Sequence, residues 1–445
     1  MSFQQWFTEE DPRIVGSLQS DPLGLRVVWS GLAHNVFRFR VNSITNDLRA
    51  YTINLFHCWV VKQIRMEMDP SAWSESYRSK FQLGSSPKFT RSLLVFLEKV
   101  MLYAFCSTKR EINAEGLIGF SNASRRYLEE GKKFPLLLDD VEGEILVRQV
   151  QLGFSGRYRT AFTQHLKLLH PESGHPVDCL DTWSAVNNEF MRRKNFAKLS
   201  MLLRDNVRVL LARKNADIRQ ADIDSEIFDL YVQCFGKRAT LDKEFSPFWH
   251  PILSFDIGET RWLWQTLETY ERSAATVFRS ALEAARKAKA DMNGNEIKGL
   301  RHVCEVEPYL ARISRIFDAL LNADFRKGGQ CADWMNMRYG ERPLVPVFPS
   351  SADEIGSAIS GEGQERLRSL LRLRELSAPE IVERIVEYHA DVSEYRAARP
   401  WIRLVGQHLD REVEIKASRD YDENEWVHDY HASQFVGLAS SLKAA

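Results

Sequence analysis

The sequence predicts a mainly α, multi-helical protein of two or three domains, with a few short β-strands near the N-terminus and in the C-terminal part. Three observations carry this. The 445 residues provide ample area for more than one core at roughly 100–200 residues per domain. Apolar residues recur at three- and four-residue intervals over long stretches, and strict alternation is confined to short runs. Glycine and proline cluster at a few breaks.

The organising stretch runs from Asp21 to Asp69. Val36 to Val41 alternate, which predicts a half-buried strand with Phe37, Phe39 and Val41 inward and Arg38 and Arg40 outward. Leu48, Tyr51, Ile53, Leu55, Phe56, Trp59, Val60 and Ile64 then predict a long helix packed on several sides, capped by Thr45 or Asn46 with Asp47 at its positive end. Phe89 to Phe105 predict a second helix, against which Trp59 is expected to bury. A glycine-punctuated connector follows. Gly153 to Arg159 combine two glycines, two aromatics and two arginines as a tight turn or a phosphate loop, so Arg157 and Arg159 are candidate contacts.

Asn187 to Lys214 predict one long basic helix with a seam of Phe196, Leu199, Leu203, Val207 and Leu210. Trp262 to Lys289 and Tyr309 to Leu321 predict two more, and a basic helix is expected over Arg366 to Arg374. A long helix follows from Ala378, with Pro379 in its first turn, then two short strands at Trp401 to Leu404 and Glu412 to Lys416, and a last helix from about Trp426 to Lys443. The expected organisation is a helical core domain at 1–170, a central domain with the basic helix at 171–340, a Pro/Ser/Gly-rich linker at 341–363, and a C-terminal helical domain with short strands at 364–445.

Equal numbers of acidic and basic residues, 60 each, give no global field toward nucleic acid or membrane, so any basic surface is local. Six scattered cysteines without a CxxC pair point to reduced thiols, and no apolar run reaches a membrane span. With no basic-then-apolar leader at the N-terminus, a cytoplasmic protein is expected. Phosphate-loop, dinucleotide, GxSxG and HExxH motifs are missing, which disfavours those chemistries. No cofactor is expected.

The local basic surface is the 187–214 helix. Arg193, Arg204 and Arg208 lie within ~60° on a helical wheel, and Lys194 and Lys198 extend the charge. Together with Arg38, Arg40, Arg157 and Arg159 these are the candidate nucleic-acid contacts, made to phosphate without reading sequence. A solvated or partner-facing helix is the competing reading. A second candidate is a metal site on Glu425, His428, Asp429 and His431, whose spacing on a helix would turn them toward one ion. His165, His170, His175 and Cys179 fit no familiar zinc spacing.

Leu23-Gly24-Leu25, then Thr45, Arg49, Tyr51, Phe56 and Trp59, resemble the opening of a group of bacterial proteins encoded beside helicases and methylases in phage-defence islands. Gly153-Phe154-Ser155-Gly156 with Tyr158, Glu307-Pro308 before Phe317, and His389 with Arg396 and Pro400-Trp401 are similar to further patches of such sequences. The resemblance implies a role in a multi-protein defence system against foreign DNA and no particular activity. Taken with the basic helix and the missing catalytic motifs, it leads to the expectation of a non-catalytic subunit of an anti-phage defence complex, contacting DNA and/or scaffolding a partner helicase or nuclease. A metal-dependent nuclease or hydrolase built on the C-terminal His and Asp residues is the alternative.

Overall fold

A computed structural model describes residues 21–41, 47–82, 87–114, 116–130, 145–146, 153, 158–171, 176, 180–213, 218–267, 273–290, 294, 296–340, 344–346, 352–413 and 426–443. Within these the architecture is helical. A single two-stranded antiparallel sheet is present among the described residues, Ile402–Val405 paired with His408–Arg411, Val405 opposite His408. The second strand thus begins four residues before the expected position, directly after a two-residue turn containing Gly406 at φ 61.

The chain divides into two compact units. One comprises 1–38 and 255–433, the other 39–254 and 434–445. These divisions do not coincide with the boundaries expected at 170 and 340, and the segment expected as a linker contains the helix Ala352–Ala358.

In the unit built on 39–254, Leu48–Glu67 is the central helix. Asp47 is its N-cap, with the carboxylate accepting the Arg49 N–H at 2.8 Å. Residues 45 and 46, the expected caps, lie outside the described residues. Burial covers nearly the whole circumference of this helix, because Pro87–Ser107, Leu180–Met191, Lys194–Ala212 and Arg238–Leu253 all pack on it. Trp59 is buried as expected, but its stacking partner is Phe190, with ring centroids 5.2 Å apart, and not a residue of the 87–107 helix. Phe56, Phe190, Phe196, Phe235 and Phe245 complete an aromatic cluster around it.

The strand expected at 36–41 is instead the end of a helix, Arg26–Phe37. Val28, Leu32, Ala33, Val36 and Phe37 recur with helical period and are buried. The apparent alternation straddled the helix terminus, where Arg38 (φ 48) and Phe39 (φ 62) turn left-handed. Arg38 is exposed, as expected. Arg40 is not: it is 4% exposed, and its guanidinium donates to the carbonyls of Leu253 at 2.8 Å and Ser254 at 2.7 Å. These carbonyls end the Arg238–Leu253 helix, where they lack helical donors and carry the negative end of the dipole.

In the unit built on 255–433, Lys298–Leu320 is the long central helix, packed by Arg26–Phe37, Ala274–Lys287, Gly328–Tyr339 and Ala378–Tyr395. The single helix expected at 262–289 is divided into Thr260–Thr266 and Ala274–Lys287. His389, 1% exposed, ties two chain segments together: its Nδ1 lies 2.8 Å from the Pro22 carbonyl, and its Nε2 accepts the Trp401 N–H at 2.8 Å. Since Nε2 accepts, the proton is on Nδ1 and is donated to Pro22. Gly24 sits in this corner at φ +61, and a Cβ there would lie 2.5 Å from the Arg366 guanidinium. The left-handed backbone is what requires glycine, since the guanidinium is the far end of a flexible side chain.

Candidate functional site

Basic side chains need solvent and freedom from carboxylates to meet phosphates, and the helix expected at 187–214 meets this only in part. It is two helices, Leu180–Met191 and Lys194–Ala212, broken at Arg193, which adopts extended φ −101, ψ 104. Arg193 is drawn inward: it pairs with Glu189 at 2.8 Å and Glu244 at 2.9 Å, and its guanidinium lies 4.2 Å from the Phe245 ring centre. Arg204 pairs with Glu67 and is 23% exposed. The wheel placed these two arginines away from the seam, but the flank they occupy is covered by neighbouring acids.

The outward stripe is different. Lys194 is exposed, Lys198 is 48% exposed and pairs with Glu226, and Arg208 is 58% exposed and pairs with Asp205 at 2.9 Å. Exposed pairs of this kind contribute roughly 0–1 kcal/mol and exchange readily for a phosphate. Lys194, Lys198 and Arg208 lie within ~80° of one another at 100° per residue. Of the other candidates, Arg159 donates to the Pro171 carbonyl and is half-buried, and Arg157 lies outside the described residues.

The candidate metal ligands do not converge. Residues 426–431 precede the last helix, Ala432–Lys443, so the helical spacing that would have aligned them is lost. His428 turns to Glu307 and His431 turns to Ser30, its Nε2 3.0 Å from the Ser30 hydroxyl oxygen. Asp429 accepts from Ser433 at 2.7 Å, and Glu425 lies outside the described residues. No group of three or more His, Cys, Asp or Glu side chains suited to a metal occurs among the described residues. Of the earlier histidine run, His165 bonds the Ile252 carbonyl at 3.1 Å, and His175 and Cys179 fall outside the described residues.

What the sequence did not single out is the role of Glu307. Its side chain is 2% exposed and takes three donors: the N–H groups of Val427 at 2.6 Å and His428 at 3.1 Å, and His428 Nδ1 at 2.9 Å. Buried carboxylates survive when their oxygens are filled in this way. Around it Trp29, Phe278, Trp426 and Tyr430 form an aromatic wall, with Phe278 stacked on Trp426 at 5.9 Å. Burial and the Glu307 charge push the Tyr430 hydroxyl well above its ordinary pKa. The Glu307-Pro308 pair was visible in the sequence, but its partner lies more than a hundred residues away.

Two buried histidines give the protein a predictable acid response. Burial lowers His57 to about 3, and burial with the neighbouring His34 and Arg26 lowers His431 to about 3. The unfolded chain binds protons at these sites below about pH 6.5, whereas the folded chain does not. Stability is therefore intact above pH 6.5 and falls as pH drops toward 3, by about 1.4 kcal/mol per pH unit for each histidine. From pH 7 to pH 5 the urea midpoint of the wild type should decline relative to that of His57→Gln; parallel profiles would contradict the burial of the His57 ring.

The chain matches no family model, no curated protein and no solved structure. No helix among the described residues is long and apolar enough to cross a membrane.

Proposed function

We propose that the chain is a DNA-contacting and scaffolding subunit of a bacterial anti-phage defence assembly, acting beside a partner helicase or nuclease. The observation that carries the DNA contact is the outward stripe of Lys194, Lys198 and Arg208 on the Lys194–Ala212 helix. Support for the assembly comes from the resemblance of the Leu23-Gly24-Leu25, Glu307-Pro308 and His389 to Trp401 patches to defence-island proteins. Two of those patches contain polar side chains that hold backbone segments in place, Glu307 and His389, which suits a rigid contact platform.

The contact is to phosphate, because the stripe offers three cations against the single acid Asp205, with Met201 and Val209 beside them and no aromatic ring on which to stack a base. Binding should therefore be indifferent to sequence. Reversing Lys194, Lys198 and Arg208 together to Glu is expected to weaken binding to every duplex alike and to remove about 2.7 from the slope of log affinity against log salt. Arg193→Ala serves as the contrast: it should lower stability and leave the slope unchanged. Wild-type affinity and slope in the triple variant would contradict the reading.

A further inference from the structure

The Glu307 cluster contains an arrangement that goes beyond a contact role and stands or falls independently of it. Glu307 is an acceptor, so a His428 proton faces it from Nδ1; in the neutral ring this leaves the lone pair on Nε2. That nitrogen lies 3.4 Å from the Ser314 hydroxyl oxygen. Ser314 follows Glu307 by seven residues on the Lys298–Leu320 helix, two turns further along the same face. The hydroxyl can therefore donate to Nε2 while the carboxylate fixes the ring from the other side. Access runs in the useful direction: Glu307 is buried, His428 is 10% exposed at its side chain, and Ser314 is half-buried.

We propose that Ser314, His428 and Glu307 act as nucleophile, general base and orienting carboxylate in acyl transfer from an ester or thioester. The three residues meet the geometric conditions for that chemistry, a nucleophile beside a base and a base oriented by a third group, with the nucleophile–base distance on the loose side expected before substrate binds. Trp29, its ring centre 6.4 Å from that of His428, gives the approach an apolar side, so the acyl group is apolar. In the first half-reaction the Ser314 oxygen bonds to the acyl carbon as its proton passes to His428 Nε2. The bond to the leaving alcohol or thiol then breaks, and that group takes the proton from Nε2. Water reverses the sequence. It gives a proton to Nε2 as it attacks the acyl-serine, the Ser314–acyl bond breaks, and Ser314 recovers the proton as the carboxylic acid departs.

The test is labelling of the full chain with an alkyl fluorophosphonate, which phosphonylates base-activated serines, followed by peptide mass spectrometry. Label is expected on Ser314, absent in Ser314→Ala, and slower by about 100-fold in His428→Gln, the lower end of what a positioned base contributes. Should His428→Gln fail to fold, the wild-type labelling rate against pH gives the same information, because it must rise through a single deprotonation. No label on Ser314 in the folded wild type overturns the proposal. So does labelling that ignores both pH and His428.

Discussion

Trp59→Ala will destabilise the unit built on 39–254 by about 3–5 kcal/mol, the range for removing a large aromatic from a closed core. Trp59 is 2% exposed and stacks on Phe190, and its ring centre lies 5.8 Å from that of Phe56. Truncation leaves a void bordered by two helices, Leu48–Glu67 and Leu180–Met191, both already fixed by other neighbours and so unable to close over it. Because the chain has two units, peptide-resolved hydrogen exchange reads the effect better than one melting temperature. Protection should fall in 48–67 and 180–191. Unchanged protection there, with unchanged solubility, would contradict the packing.

Glu307→Ala carries a comparable effect in the other unit, about 3–5 kcal/mol, by a different mechanism. The substitution removes the carboxylate that accepts from three donors, the Val427 and His428 N–H groups and His428 Nδ1, and leaves them without it in a half-buried site. Removing one side of a buried charged network is costly for this reason, whatever the intact network contributes. Exchange should quicken in 426–431 and along 298–320. Glu307→Gln should be milder, since its amide oxygen retains an acceptor. Equal protection in Glu307→Ala and the parent would show that the 426–431 segment is held by its aromatic contacts alone.

The fold class and most helices were legible because their apolar stripes are long. Leu48 to Ile64, Phe89 to Phe105 and Phe196 to Leu210 each bury the residues their spacing selects. Errors arose at ends and breaks, where local pattern is weakest. The five residues from Phe37 to Val41 alternate by coincidence across a helix terminus, and Arg193 interrupts a basic run whose charges look continuous in sequence. Arg40 shows a second limit: an arginine reads as surface until a helix end that needs donors is found 213 residues away.

The candidate site was legible only in fragments. Lys194, Lys198 and Arg208 are where a helical wheel puts them, but the acids that claim Arg193 and Arg204, namely Glu244 and Glu67, come from other helices. His428 was visible as a titratable residue near the end of the chain. Its partners Glu307 and Ser314 lie 121 and 114 residues upstream, a separation over which spacing carries no information.

The most direct measurement for the central claim is the affinity of the purified wild-type protein for two unrelated duplexes across a salt series. Phosphate contact through three cations predicts equal affinities for both and a log–log slope of about −2.7. Affinity that differs between the duplexes, a slope near zero, or no binding at low salt would contradict DNA contact through the Lys194, Lys198 and Arg208 face.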